Sequence, residues 1–192
     1  MLNKNELPSV MVEINPETRE LLRVGGVGGV RVSPIRTEVV PRVPRQKEEL
    51  RAFLMRQMGS AKKGLEKDGG LRAKYYVFGR ERDLLVHGFS EHVRNREEEM
   101  AVLEQFAKMQ EADAVAVIAD SYVGKRDSRG PLKDLPPSER GEALVTFLRT
   151  RDCNQMWGCA LPYERRGGDI NWLQEVTGEV NVNDMDMIPR WY

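Results

Sequence analysis

The stretch Ala114-Val115-Ala116-Val117-Ile118-Ala119 decides the fold that this chain is predicted to adopt. An unbroken apolar run leaves no polar face, so it predicts a strand that is covered on both sides and lies centrally in a sheet. The run belongs to a block, residues 72–165, in which strand patterns and an amphipathic helix pattern follow one another without a break. Such a block is typical of a compact α+β domain.

Patterns on both sides of this strand complete the predicted domain. Further strand-like runs are Ala73–Phe78, Leu84–Phe89, Glu142–Arg149 and Met156–Tyr163, and Ile170–Val176 predicts a last strand or a short helix. Apolar residues at helical spacing predict helices at Lys47–Lys67, stopped by Asp68-Gly69-Gly70, and at about Glu91–Glu111. We therefore expect an α+β fold: an antiparallel sheet of about five strands in ββαβββ order. One helix packs across this sheet and a second precedes it.

The two ends of the chain differ from this domain in composition. Residues 1–46 hold one strand-like run, Val10–Ile14, then a glycine repeat at 24–30 and several prolines, so we predict an extended arm that orders only on a partner surface. Residues 177–192 form an acidic tail, and large aromatic residues at a terminus typically dock into a groove. The predicted organisation is an arm (1–46), a single α+β domain (47–176) and a tail (177–192). The candidate interaction residues are Gly25, Gly26, Gly28, Gly29, Trp191 and Tyr192.

Length and charge narrow the classes of protein to consider. A chain of 192 residues with zero net charge fits one domain plus arms. The charge is uneven: residues 31–82 hold fourteen Lys or Arg against six Asp or Glu, whereas residues 168–192 hold five acids and one Arg. These ends can attract each other within a chain or between copies. No apolar run approaches the roughly 20 residues of a membrane span, and the first residues do not have the pattern of a secretory signal. We expect a cytoplasmic protein or a component of an assembled particle.

Residues 112–164 carry a likeness to a known family. The matching residues are Ala119-Asp120-Ser121-Tyr122, Pro137-Ser138 and Arg140-Gly141-Glu142-Ala143-Leu144. This stretch resembles a family of small uncharacterised bacterial proteins in which an apolar strand ends in an acid and an aromatic residue. That family has Glu-Ala-Trp where this chain has Asp120-Ser121-Tyr122. The resemblance implies an α+β fold and implies no activity.

Asp120, Arg140 and Glu142 are the main candidates for a catalytic site, with Tyr122 beside them. Asp120 directly follows the central strand, and Arg140 and Glu142 share one face of the next strand because they are two residues apart. Two carboxylates with an arginine can perform acid–base chemistry or hold a metal ion. A structural ion pair has the same composition, and it is the interpretation that we favour.

His87 is a further candidate, because His87, Glu91 and His92 approach the spacing of a zinc-peptidase helix. The spacing is one residue too long, and the chain has no third histidine. We therefore predict no metal site and no cofactor. The glycine repeat lacks the Gly-Lys-Ser or Gly-Lys-Thr of a phosphate loop. Cys159 lies in an apolar strand, where a thiol is typically an inert core residue, and Cys153 has no histidine nearby to activate it.

A nucleic-acid surface is the remaining alternative. Tyr75, Tyr76 and Phe78 lie beside Arg72 and Lys74, an arrangement that can stack bases, but the neutral chain and the needs of the core count against it. The favoured hypothesis is a non-enzymatic assembly or structural subunit whose arms clasp neighbouring subunits, as in a phage particle or another homo-oligomer. The alternatives are a small hydrolase-type enzyme with a carboxylate/arginine site and a nucleic-acid-binding protein. No membrane partner is expected.

Overall fold

The computed structural model describes residues 10–14, 21–26, 36–43, 45–87, 96–124, 136, 140–152 and 155–181. The strands in these ranges are β1 (Val10–Ile14), β2 (Leu21–Gly26), β3 (Arg36–Val40), β4 (Lys74–Phe78), β5 (Asp83–His87), β6 (Ala114–Gly124), β7 (Arg140–Thr150), β8 (Gln155–Arg166), β9 (Asp169–Trp172) and β10 (Val176–Asn181). The helices are α1 (Lys47–Asp68) and α2 (Arg96–Met109). The α+β class is as predicted.

Eight of these strands form one antiparallel sheet in the order β10-β8-β7-β6-β4-β5-β3, and β9 also pairs with β8. β6, the apolar strand of the sequence, lies in the middle of this order. The predicted number of about five strands is wrong, because β3, β9 and β10 extend the sheet. β3 lies inside the segment interpreted as an arm, and β10 lies almost wholly inside the segment interpreted as a tail.

The two edge strands are not predicted from the sequence, and the reason is physical. An edge strand has one strand neighbour and large exposed areas, so it needs neither the apolar run nor the strict alternation of a central strand. β3 holds Arg36 and Glu38, and β10 holds Gly178 and Glu179. Their composition is therefore that of a polar connecting segment.

Helices cover both faces of the sheet. Side chains alternate along each strand, so Tyr75 and Val77 pack with α2, whereas Tyr76 and Phe78 pack with α1. We name these two sides of the sheet the α2 face and the α1 face. The sequence analysis placed one helix across the sheet. The structure adds α1 on the opposite side, and this second cover explains why the central strands are apolar on both faces.

Both helices end in a left-handed residue. α1 stops at Gly69, as predicted, with φ of 72° and its N–H donating to the Leu65 carbonyl at 2.9 Å. α2 stops in the same way at Glu111, which has φ of 48°. Beyond α2 the N–H of Ala112 donates to the Ala107 carbonyl at 2.9 Å, which completes a Schellman motif.

The segment between β3 and α1 is fixed to the sheet by polar contacts. The N–H of Val43 donates to the buried Asp83 carboxylate at 2.7 Å. Arg45 pairs with Asp113 and also donates to the Gly79 carbonyl. These contacts attach Val43 and Arg45 to the β4–β5 turn and to the start of β6.

β1 and β2 form a two-stranded antiparallel sheet of their own, which we name the N-terminal hairpin. Gly25 and Gly26 lie inside it, opposite Met11 and Val10. The backbone of β1 runs close to α2. The other four predicted interaction residues, Gly28, Gly29, Trp191 and Tyr192, lie outside the described residues.

Candidate functional site

A row of polar and aromatic residues crosses the α1 face on four neighbouring strands. Tyr122 on β6 is opposite Glu142 on β7, Glu142 is opposite Tyr163 on β8, and Tyr163 is opposite Trp172 on β9. Residues directly opposite one another in antiparallel strands point to the same side of a sheet. The row therefore lies on the α1 face, near the last turns of α1.

Asp120 lies on β6 two residues before Tyr122, on the same face and opposite Leu144. The Tyr163 hydroxyl donates to the Asp120 carboxylate at 2.6 Å, and Nη2 of Arg165 lies 3.7 Å from its other oxygen. Partial burial raises the pKa of the Asp120 carboxyl above its ordinary value, although Tyr163 and Arg165 both act to lower it. Glu142 adds a smaller contribution that also raises this pKa.

Arg165 joins the two candidate carboxylates. Its Nε donates to both Glu142 oxygens at 3.3 and 3.2 Å, and its Nη2 donates to the Tyr163 hydroxyl at 3.0 Å. Burial, with the hydrogen bond to Asp120, raises the pKa of the Tyr163 phenol. We name Asp120, Glu142, Tyr163 and Arg165 the Arg165 cluster.

The sequence analysis did not identify Arg165 or Tyr163 as site residues. The predicted strand ended at Tyr163, whereas β8 continues to Arg166. A signal was present, because Tyr163 and Arg165 are two residues apart and therefore share a face of one strand. Without the pairing register, nothing indicated that this face meets Asp120 and Glu142.

Arg140 shares a strand face with Glu142 and lies beside Tyr122. Its guanidinium lies over the ring of Tyr122, 4.2 Å from the centroid, and Tyr122 is 41% exposed. Arg165, a residue that the sequence did not single out, contacts both Asp120 and Glu142. The pair of Arg140 and Tyr122 forms the outer rim of the Arg165 cluster.

The far side of the row is joined to α1. The indole Nε1 of Trp172 donates to Glu66 at 2.7 Å, and the Lys62 ammonium lies 4.8 Å from the centroid of the Trp172 ring. The Tyr163 and Trp172 rings meet edge to face at 5.2 Å. These contacts connect β8 and β9 to the last turns of the helix.

His87 lies apart from the Arg165 cluster. It ends β5, and β4 separates β5 from β6 in the sheet. Its Nε2 is 3.4 Å from the Glu38 carboxylate. Glu91 and His92 lie outside the described residues. Within the described ranges, no group of three or more His, Cys, Asp or Glu side chains is arranged to hold a metal ion.

Cys159 is a buried core residue, as its apolar strand predicted. It is 1% exposed, and burial raises the pKa of its thiol to about 11. A neutral, buried thiol is a poor nucleophile. Cys153 lies outside the described residues.

The aromatic residues considered for base stacking are in the core. Tyr75, Tyr76 and Phe78 are at most 2% exposed. Phe53 of α1 packs edge-on against Tyr76 and Phe78, with ring centroids 5.5 and 5.9 Å apart. Their ring faces are therefore not available to a nucleic acid.

Part of the predicted charge attraction occurs within the chain. Glu179 of β10 pairs with Lys47 at 3.1 Å and also with Arg51, both in the first turns of α1. The Arg51 guanidinium lies 5.6 Å from the centroid of the Trp157 ring. The acidic residue of β10 is thus neutralised by the basic first half of the chain.

Comparison with protein-family models, curated proteins and solved structures found no match. Neither helix in the described part of the chain combines the length and the apolar character needed to cross a membrane.

Proposed function

We propose that this protein is a non-enzymatic assembly subunit that binds neighbouring subunits through the segments outside its core. The observation that supports the proposal is the N-terminal hairpin, which is not part of the eight-stranded sheet. An isolated two-stranded hairpin is marginally stable in water and needs a surface on which to pack. A glycine-rich element of this kind is suited to bind a partner surface.

The proposal includes a way for the hairpin to clasp a neighbour. Its β1 strand lies against α2 of its own chain, and an identical α2 surface exists on every other copy. Residues 27–35 join the hairpin to β3, and an extended chain covers at most roughly 3.5 Å per residue, so roughly 30 Å is within reach. Exchange of an identical element between copies is a low-cost route to oligomers.

The remaining sequence hypotheses belong to the same proposal. The partners are other copies of this chain or other subunits of one assembly. The setting is the cytoplasm or an assembled particle such as that of a phage. The charge difference between the two halves contributes less than expected, because Glu179 is already paired within the chain.

The test compares the native mass of the full chain with that of a chain lacking residues 1–35, by light scattering after size exclusion. The deletion ends before β3, because β3 belongs to the main sheet and the Val43 N–H satisfies Asp83. We expect a defined oligomer for the full chain and a smaller species after the deletion. Equal masses for the two proteins would remove the hairpin from the proposal.

A matched pair of single substitutions tests the hairpin in the full chain. Val12 lies in β1 opposite Val24, and Val12→Pro removes a backbone N–H that Val12→Ala retains. We expect only the proline variant to reduce the native mass. Circular dichroism of both variants checks that the main domain stays folded.

A second candidate function, a small hydrolase-type enzyme, is favoured by one observation. Asp120 and Glu142 share Arg165, and burial raises the pKa of the Asp120 carboxyl, a kind of perturbation that is frequent at catalytic sites. A panel of ester, phosphodiester and glycoside substrates tests it. Turnover that Asp120→Asn abolishes and that Asp152→Asn retains would establish this function instead.

A further inference from the structure

The eight-stranded sheet ends in two strands of different character. β10 forms one end of the sheet and β3 the other, and each has one strand partner among the described residues, β8 and β5 respectively. An edge strand presents unpaired N–H and C=O groups that can bind another strand. Natural sheets block this pairing with charged residues and proline.

β3 carries such protection. Its five residues include Arg36 and Glu38, and Pro41 directly follows the last of them. Glu38 also contacts His87. This edge is therefore poorly suited to accept a further strand.

β10 lacks this protection. Its sequence is Val176-Thr177-Gly178-Glu179-Val180-Asn181, with no proline and one charged residue. Val176 is 61% exposed, and the neighbouring Leu173 is 44% exposed. The charge of Glu179 is neutralised by Lys47 and Arg51, so the edge has no strong net charge to repel an identical edge.

The order of residues along β10 is self-complementary. In an antiparallel pair of two β10 strands centred on Gly178, Val176 is opposite Val180 of the second copy. Thr177 is then opposite Glu179 of that copy, and Gly178 is opposite Gly178. Valine is thus opposed to valine and threonine to glutamate, and no like charges are opposed.

We propose that β10 pairs with β10 of a second copy in this register, so that two eight-stranded sheets become one continuous sheet. The proposal rests on the assembly function given above and identifies the partner as a second copy of this chain. A two-fold contact of this kind closes on itself, whereas pairing of β10 with β3 would propagate into a fibre.

A cysteine at the centre of the register gives the sharpest test. Opposed residues in antiparallel strands have Cα atoms about 4.5 to 5.5 Å apart, which suits a disulfide. A Cβ at Gly178 has no other heavy atom within 4 Å, so Gly178→Cys is compatible with the fold. The background is the full chain with Cys153→Ser, which leaves Cys159 buried in the core.

The matched control is Glu175→Cys, which introduces an equally exposed cysteine just before β10. In the proposed register, two copies of residue 175 lie roughly 20 Å apart, because six residues of strand separate them. We expect mild oxidation to give a covalent dimer from Gly178→Cys and not from Glu175→Cys. Equal yields from the two variants would overturn the proposal.

A substitution at the exposed apolar residue provides an independent measurement. Val176→Lys places a charge on the edge, and a two-fold interface contains that change twice, so we expect the dissociation constant to rise at least about tenfold. Association that neither cross-links at 178 nor responds to Val176→Lys would overturn the β10 register and leave the assembly function in place. A monomer that gives no cross-link would overturn the β10 register and self-association together, and would leave only other subunits as partners.

Discussion

At the scale of single residues, Thr146 is a polar residue that lies in an apolar layer. It is fully buried on β7, directly opposite Ile118 and Cys159. Its Oγ1 finds no hydrogen-bond partner among the described residues. A buried, unsatisfied hydroxyl lowers the free energy of unfolding by about 1 to 3 kcal/mol, so a threonine at this position destabilises the fold.

We therefore expect Thr146→Val to raise the free energy of unfolding by about 1 kcal/mol, measured by urea denaturation. Thr146→Ser is the control, because it keeps the hydroxyl and loses the methyl group, and it should destabilise the protein. A valine variant less stable than the parent would show that the hydroxyl is satisfied.

Asp120 gives a prediction for the dependence of stability on pH. Burial raises the pKa of its carboxyl in the folded protein above the value in the unfolded chain. The stability that the neutral carboxyl contributes is fully present below the unfolded pKa and is lost as the pH rises through the folded pKa. An ionised Asp120 therefore makes folding less favourable at neutral pH than at acid pH.

Asp120→Asn removes this titration while its amide oxygen still accepts a hydrogen bond from Tyr163. Relative to the parent, the variant should gain stability as the pH rises from about 3 to 7. Denaturation curves at several pH values measure the difference, and Asp152→Asn, an exposed site, is the control. A relative stability that falls over this range would mean that the Arg165 contact outweighs burial.

Part of the candidate site could be predicted from the sequence. Asp120 lies in β6 and Glu142 in β7, and the register places both on the α1 face. The role of Arg165 could not be predicted from the sequence. The register of β7 with β8 brings Arg165 to both carboxylates, and the sequence contains no signal for that register.

At the scale of the elements, α2 is followed by a residue in an unfavourable backbone conformation, which a substitution can relieve. Glu111 has φ of 48°, in a left-handed region that suits glycine far better than a residue with a Cβ. The Schellman hydrogen bonds of Glu111 to Lys108 and of Ala112 to Ala107 fix this conformation. The corresponding position after α1 is Gly69.

We expect Glu111→Gly to stabilise the protein by about 0.5 to 1 kcal/mol, read from the shift in the urea midpoint. Glu111→Ala is the control, because it also removes the exposed pairing with Arg80 but keeps the Cβ. The glycine variant should exceed the alanine variant in stability. Equal values for both would mean that the left-handed residue carries no cost.

The predictability of each element follows from its burial. The predicted helix Lys47–Lys67 agrees closely with α1, Lys47–Asp68. The agreement is close because the buried residues of α1 recur at helical spacing and a glycine follows its last residue. β3 and β10 were not predicted, because an edge strand is specified by its register with a neighbour rather than by its own pattern.

At the scale of the whole molecule, one sheet carries a helix on each face and an exposed apolar residue near each edge. Val39 is 56% exposed on β3, and Val176 is 61% exposed on β10. The sequence predicted the central strand from its apolar run, and the two covering helices account for that run. Which face each helix covers depends on contacts between distant segments, and local periodicity contains no such information.

The native mass of the unmodified protein tests most directly whether the chain associates with copies of itself. Light scattering after size exclusion, over a wide range of protein concentration, compares that mass with the 21.9 kDa of one chain. We predict a mass of at least two chains that falls on dilution. A mass of one chain at every concentration would contradict self-association.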